Sequence, residues 1–231
     1  MKFSCVVPAF NEGRRIVDVI NTLLECPEIW EIIAVDDGSS DDTWQVLSEL
    51  EDPRLLKIRL DQNGGKTKAI FTGIRAARGD YIVTIDSDLL NLKSEHIRSL
   101  LSPIDLGVAD VTISLRENSL WIYKLFLSDF VSWERVIPRY LLEDESYYII
   151  GPWFGLEVKM NEKIIENNCR VQSVYFPGVI TPRKAYKYGF IKGTMGDIRM
   201  VYDLLSIVPV HRLMYQLWYF YKQQKAYRKD L

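Results

Sequence analysis

Tyr81-Ile82-Val83-Thr84-Ile85-Asp86-Ser87-Asp88 is a short apolar run that ends in two carboxylates one residue apart. Ile32-Ile33-Ala34-Val35-Asp36-Asp37-Gly38-Ser39-Ser40 has the same design about fifty positions earlier. Apolar runs of about four or five residues bounded by turn residues fit strands buried on both faces, as in a parallel sheet. Carboxylates at the ends of such strands point into the crevice where open α/β sheets bind ligands. Two close carboxylates repel each other unless a cation or a proton lies between them. Hard oxygen ligands suit Mg²⁺ or Mn²⁺, ions that also keep substrate phosphate oxygens in their shell. Asp, Gly and Ser favour turns in any case. Either stretch alone is therefore ordinary turn sequence, and it is the pair that points to a site.

Outward from these two ends the chain alternates. Strand patterns over residues 3–7, 32–35, 55–60, 81–85 and 111–115 are separated by helical patterns over 14–24, 43–50, 66–77 and 94–101. In the first helix Ile16, Val19, Ile20, Leu23 and Leu24 recur at helical spacing, and Ser40 or Asp41 is placed to cap the second. Strands alternating with helices predict an α/β fold, a doubly wound, mostly parallel sheet with right-handed crossovers and helices on both faces. Asn63-Gly64-Gly65-Lys66 opens the third helix. Glycines let a backbone approach a ligand, a helix N-terminus favours anions, and Lys66 adds a point charge. Asn-Gly-Gly is also an ordinary turn, and the spacing of a Walker loop is absent.

The alternation weakens after about Arg116, where aromatic and basic residues and long helical stretches take over. No linker, repeat or low-complexity segment interrupts the chain. One domain is expected: a nucleotide-binding half over 1–116, an acceptor half over 117–197, and C-terminal amphipathic helices over 198–231. The 231 residues suffice for a real core, and 48% hydrophobic with 26% charged residues is a globular balance. A net charge of −2 supplies no global field for nucleic acid. Cys5, Cys26 and Cys169 lack metal-binding spacing and fit a reducing compartment. The first residues are too polar for a signal peptide, and no run of about 18 apolar residues occurs.

In the last segment Leu204, Leu205 and Val208, then Leu213, Leu217, Phe220 and Tyr221, recur at helical spacing, and Pro209 separates two helices. Tyr215, Trp218, Tyr219 and Tyr221 precede Lys222, Lys225, Arg228 and Lys229. Aromatics with a basic end suit a helix lying in a membrane interface. A helix packed on the domain with a solvated tail is the alternative. Lys184, Lys187, Lys192, Tyr186 and Tyr188 add a weaker basic and aromatic rim.

Five motifs in order carry a resemblance. They are Val7-Pro8-Ala9-Phe10-Asn11-Glu12, Val35-Asp36-Asp37-Gly38-Ser39-Ser40-Asp41-Asp42-Thr43, Asn63-Gly64-Gly65-Lys66, Ala77-Arg78-Gly79-Asp80-Tyr81 and Asp86-Ser87-Asp88. Together they resemble the inverting glycosyltransferase family 2, whose fold is GT-A. The resemblance implies a donor pocket made by Pro8, Ala9, Phe10, Asn11, Glu12, Gly65, Lys66 and Ser87. It implies that Asp36 or Asp37 touches the base or ribose, that Asp86 touches the ribose or donor sugar, and that Asp88 is the main ligand of Mg²⁺ or Mn²⁺, with Asp86 beside it.

Within the family the chain is most similar to polyprenyl-phosphate (dolichol-phosphate) sugar synthases. Arg116 falls where those enzymes end a strand in an arginine for acceptor phosphate. Trp133-Glu134-Arg135-Val136-Ile137-Pro138-Arg139 resembles their later segment with two arginines. Arg116, Arg135 and Arg139 are thus candidates for a phosphate site, with solvated or ion-paired arginines as the alternative. The glutamine usual after the second aspartate is Leu90 here, which leaves water or Asn91 to replace it. Residues 155–161 are also similar to the retaining glucosyl-phosphoglycerate synthases, which carry a later histidine ligand. This chain has only His96 and His211, so no histidine ligand is expected.

The expected activity is metal-dependent transfer of a sugar from a nucleoside diphosphate, with inversion, to a polyprenyl phosphate. The enzyme is expected to be peripheral on the cytoplasmic membrane face. A soluble hydroxyl acceptor is the alternative, with Glu157 as the base it would need. Glu157 is equally a helix-start carboxylate favoured by the dipole. A nucleotidyltransferase shares the paired-acid site and would release pyrophosphate instead.

Overall fold

The computed structural model describes residues 1–119, 121–143, 155–182 and 209–229. Seven strands form one sheet: β1 (Phe3–Ala9), β2 (Ile29–Asp36), β3 (Leu55–Arg59), β4 (Tyr81–Thr84), β5 (Val111–Arg116), β6 (Arg135–Pro138) and β7 (Val171–Phe176), in the order β3-β2-β1-β4-β6-β5-β7. β1, β2, β3 and β4 pair in parallel, as do β5 and β7, whereas β6 runs antiparallel between β4 and β5. Helices α1 (Arg14–Leu24), α2 (Thr43–Glu49) and α4 (Ser94–Asp105) cover one face. Helices α3 (Lys66–Ala76), α6 (Gly155–Glu166) and α7 (Val210–Lys229) cover the other, and the short α5 (Trp121–Leu125) follows β5.

The central strands are buried on both faces because they alternate between two cores. Cys5, Val7, Ile32 and Ala34 join Ile16, Ile20 and Leu100 on the α1 side. Val6, Ile33 and Val35 join Ile70, Phe71 and Trp133 on the α3 side. Successive side chains of a strand point to opposite faces, so an uninterrupted apolar run is what a two-sided burial requires. The five expected strands and four expected helices all form, with boundaries within a few residues.

Two strands lay outside the expectation. β6 is only four residues long, starts in a charged residue and ends in a proline, so it carries no period that marks a strand. Proline is tolerated at that strand end, where Pro138 sits opposite Tyr81. β7 alternates weakly and borders the helical stretches. Of the expected C-terminal pair, the second is α7, which starts just after Pro209. Leu204, Leu205, Val208 and the basic rim at 184–192 lie outside the described residues, as do the side chains of Lys225, Arg228 and Lys229.

The parallel strands bring their carboxyl ends to one edge. Ala9 of β1 registers with Asp36 of β2, and Ile85 after β4 donates its N–H to Val6 O. β1 is followed by neighbours on either side, β2 and β4, so the crevice opens where the winding reverses.

Candidate active site

The β2 end is a turn held by its own carboxylates. Asp36 is fully buried, and its Oδ1 accepts the Ser39 N–H at 3.1 Å. Its Oδ2 lies 3.3 Å from Arg59 Nε and makes no hydrogen bond. Asp37 accepts the N–H groups of Gly64 and Gly65 at 2.9 and 2.8 Å, one per oxygen. The Asn63-Gly64-Gly65 loop is thereby tied to the β2 turn and delivers Lys66 as the first residue of α3. Gly38 has φ +67°, and a Cβ there would stand 2.6 Å from the Gln62 carbonyl carbon, so the turn and the loop touch backbone to backbone.

Asn11 braces the same turn, its Oδ1 accepting the Ser40 N–H at 2.9 Å and its own N–H donating to Ser39 Oγ at 2.9 Å. Thr43 Oγ1 accepts from the N–H groups of Glu12 and Gly13 at 2.9 and 2.8 Å, and joins the starts of α1 and α2. The N-cap of α2 is Asp42, which makes no side-chain cap bond, and not the expected Ser40 or Asp41; Asp41 instead accepts the Thr43 N–H at 3.0 Å. Pro8 and Ala9 are buried within β1, whereas Phe10 is 43% exposed at the crevice mouth. Glu12 is ion-paired with Arg15 at 2.8 Å.

The β4 end carries the acid pair. Lys66 Nζ donates to Asp86 Oδ1 at 2.6 Å and lies 4.9 Å from the centre of the Trp133 ring. Burial acts to lower the Lys66 pKa, but the charges of Asp86 and then Glu157 outweigh it and hold the ammonium above its usual value. Ser87 is buried, and Asp86 and Asp88 are partly exposed. Among the described residues no group of three or more His, Cys, Asp or Glu side chains gathers as a metal cage. The acid pair still fits a hard divalent ion, because Mg²⁺ takes about one or two carboxylates and completes its shell with phosphate and water.

Glu157 lies in the first turn of α6, buried, with Oε2 lacking a hydrogen bond. Burial pushes its carboxyl pKa up, and Lys66 only partly opposes this. Leu90, in the place of the expected glutamine, forms a bridge with Ile180, and Asn91 donates Nδ2 to Gly178 O at 3.1 Å.

Arg116 stands at the carboxyl end of β5, with Asp86 and Asp88 contributing to its electrostatic surroundings. The other two arginines differ from it in burial and in place: Arg135 registers with Thr84 at the carboxyl end of β4 and adds to the electrostatic surroundings of Glu157. Arg135 is fully buried at the start of β6 and donates to Ser132 O, Phe130 O and Asn161 Oδ1. Its guanidinium has no exposed surface and ties the start of β6 to α6 through Asn161. Arg139 follows β6, whose antiparallel course carries it to the opposite edge: its N–H donates to Asp80 O at 3.0 Å and its side chain pairs with Glu143. No residue pattern marks 135–138 as reversing direction, and that reversal separates Arg139 from Arg116.

Ala77-Arg78-Gly79-Asp80 also belongs to the far edge. Arg78 Nη2 lies 2.9 Å from the buried Glu31, the Gly79 N–H donates to Ser4 Oγ at 2.8 Å, and Asp80 accepts the Lys2 N–H at 3.0 Å. A groove of about 690 Å³ at that edge, lined by Trp30, Glu31, Arg54 and Leu56, contains none of the carboxyl-end residues and is separate from the crevice. Residues unnoticed in the sequence do reach the crevice: Trp133 under Lys66, and Glu134, Asp129 and Thr181 around Arg116. Their signal is tertiary, because Asp129, Trp133 and Glu134 come from one short stretch and Thr181 from another far along the chain.

Residues 4–162 match the family described as glycosyl transferase family 2. The undecaprenyl-phosphate 4-deoxy-4-formamido-L-arabinose transferase of Salmonella paratyphi B is 36% identical over 124 residues, which cover 51% of this chain and 37% of that relative. The chain therefore spans well under two thirds of that curated relative. Glucosyl-3-phosphoglycerate synthase from Mycobacterium tuberculosis, solved with Mn²⁺, UDP-glucose and phosphoglyceric acid, superposes with a TM-score of 0.69 at 20% identity, over 89% of this chain and 79% of that one. S. aureus TarS 1-349 with UDP-GlcNAc superposes at 0.61 and 21% identity, over 77% and 58%. These likenesses show that the expected GT-A architecture is the fold.

Proposed function

The chain belongs to glycosyltransferase family 2, and from that premise we propose that it moves a sugar from a nucleoside diphosphate to a polyprenyl phosphate at a membrane surface. One observation carries the donor half of this reading: Lys66, at the N-terminus of α3, meets Asp86 of the Asp86-Ser87-Asp88 turn at 2.6 Å. A fixed cation, a helix N-terminus and an acid pair in one crevice are what a diphosphate with a divalent ion requires. In this reading Asp36 and Asn11, with Phe10, would meet the nucleoside, and Gly65 and Lys66 the diphosphate. Asp88, with Asp86, would hold Mg²⁺ or Mn²⁺, which would offset charge on the leaving diphosphate. The relatives solved with Mn²⁺ and UDP-sugars support that cofactor choice.

The acceptor half is supported by the undecaprenyl-phosphate relative. A phosphate acceptor is already an anion and needs no base. Its oxygen attacks the sugar's anomeric carbon as the bond to the diphosphate breaks, and a single displacement inverts that centre. Lys66 keeps its proton throughout and serves as a preorganised charge. No helix among the described residues is long and apolar enough to cross a membrane. Contact would fall to α7, where Val210, Met214, Tyr215 and Trp218 are more than half exposed and Lys222 lies 5.2 Å over the Trp218 ring. A hydroxyl acceptor is the second reading, and the unmatched buried oxygen of Glu157 is what favours it.

Donor screening by nucleoside-diphosphate release tests the proposal. Release is expected to need Mg²⁺ or Mn²⁺ and added polyprenyl phosphate, and to vanish in Asp88→Ala. Release indifferent to the lipid, or pyrophosphate in its place, would sink it. Flotation with anionic liposomes checks the membrane contact separately.

A further inference from the structure

Arg116 ends β5 with its guanidinium enclosed, only 17% of the side chain being exposed. Nη1 donates to Thr181 Oγ1 at 2.6 Å and to Glu134 Oε1 at 3.3 Å, and Nη2 lies 3.8 Å from Asp129 Oδ2. Glu134 is fully buried, and its other oxygen accepts the hydroxyls of Ser114 and Ser132 at 2.9 and 2.7 Å. Asp129, also buried, accepts the Ser119 hydroxyl at 2.7 Å. Two buried carboxylates face one guanidinium. Pulling the arginine away would leave buried anions unpaired.

What the guanidinium does hold is Thr181. That residue belongs to a strap, residues 178–182, laid antiparallel to the segment just after the acid pair. Leu90 N–H donates to Ile180 O at 2.9 Å, and Ile180 N–H to Leu90 O at 3.3 Å. Asn118 donates Nδ2 to Thr181 O at 2.9 Å, and Asn91 reaches Gly178 O. The strap is thus tied to the Asp86-Ser87-Asp88 turn on one side and to β5 on the other. Arg116 supplies the charged tie.

We infer that Arg116 is a positioning residue that acts through Thr181: it clamps the 178–182 strap against the turn bearing Asp86 and Asp88. The inference rests on reading that turn as the donor and metal site.

Three variants and their combination test it on the full chain. Thr181→Val removes only the hydroxyl, Arg116→Lys keeps the charge but not the planar fork, and Arg116→Ala removes the charge and the fork together. Amide exchange at Leu90 and Ile180, measured without any ligand, is expected to quicken about tenfold in each, the scale of one lost hydrogen bond to a charged group. Thr181→Val added to Arg116→Ala should bring no further change. Lysine should fail to rescue, because a point charge cannot bond the hydroxyl and both carboxylates in one plane. Titration with UDP and Mn²⁺, with no acceptor present, should show weaker binding in all three.

If the Arg116 variants fail to fold, Thr181→Val still decides, since it unpairs no buried charge. Unchanged exchange in Thr181→Val overturns the inference. So does unchanged UDP·Mn²⁺ binding in Arg116→Lys with a rise in acceptor KM alone. Absence of UDP·Mn²⁺ binding by the unaltered protein would count against the donor reading, while the exchange rates would still decide the clamp.

Discussion

Asp37→Asn is the substitution whose cost the structure sets most directly. Asp37 is 2% exposed, and each of its oxygens takes one glycine N–H, at 2.9 and 2.8 Å. Asparagine keeps the shape but has one acceptor oxygen. Its amide NH₂ then faces a backbone N–H, donor against donor. One charge-assisted hydrogen bond, worth about 1.5–3 kcal/mol, is lost, and the other falls to the neutral value of about 0.5–1.5 kcal/mol. The glycines are only partly buried, so water recovers some of this. A net loss of about 2–3 kcal/mol is expected, or about 5–10 °C in Tm for a domain of this size. The loop also positions Lys66, so donor binding should weaken along with stability. Urea unfolding gives the first quantity from the midpoint at unchanged slope, and nucleoside-diphosphate titration gives the second. A stability loss below about 0.5 kcal/mol, the range of an ordinary surface change, with unaltered donor binding, would show that the glycine loop holds itself and that the carboxylate tie was misread.

Lys66→Met should leave the fold intact and raise the donor KM about tenfold or more, the scale of one lost charged contact; a KM within about twofold of the parent would remove Lys66 from the site. Glu157 has a folded pKa raised chiefly by burial. The folded state therefore binds its proton more tightly than the unfolded chain, and stability drains away as pH rises from the unfolded value of about 4.3 through the folded one. Glu157→Gln should accordingly gain on the parent over that window in urea midpoints, and a gap that shrinks as pH rises would reverse the assignment. The same variant divides the acceptor readings: retained turnover fits a phosphate, and collapse of kcat a hydroxyl. Arg78→Ala removes the 3.0 and 2.9 Å bonds to buried Glu31. It should cost about 1–3 kcal/mol and leave the donor KM alone, because that pair sits at the far edge of the sheet; an altered KM would contradict the separation of the two edges.

Each element that the sequence revealed has a local cause. The runs ending at Asp36 and Ile85 are apolar throughout because both faces of a central strand are covered, and their carboxylates share an edge because parallel strands all end there. Lys66 was legible as the start of a helix after two glycines. β6 was not, because four residues between an arginine and a proline carry no period. Arg135 and Arg139 then appeared to share a site with Arg116, when the reversal of β6 buries one and sends the other to the opposite edge.

The sequence by itself determined the class of fold and the two acidic strand ends with the helix start at Lys66. Both depend on side-chain periodicity and on short motifs whose residues stay together after folding. Only the tertiary structure decided which charges are available there. It matched Asp37 with two glycine amides, Lys66 with Asp86, and Arg116 with Glu134, Asp129 and Thr181. Those partners stand between 13 and 65 positions away in the chain. Electrostatic interaction depends on distance through space and on burial, and neither is written in the spacing of residues along the chain.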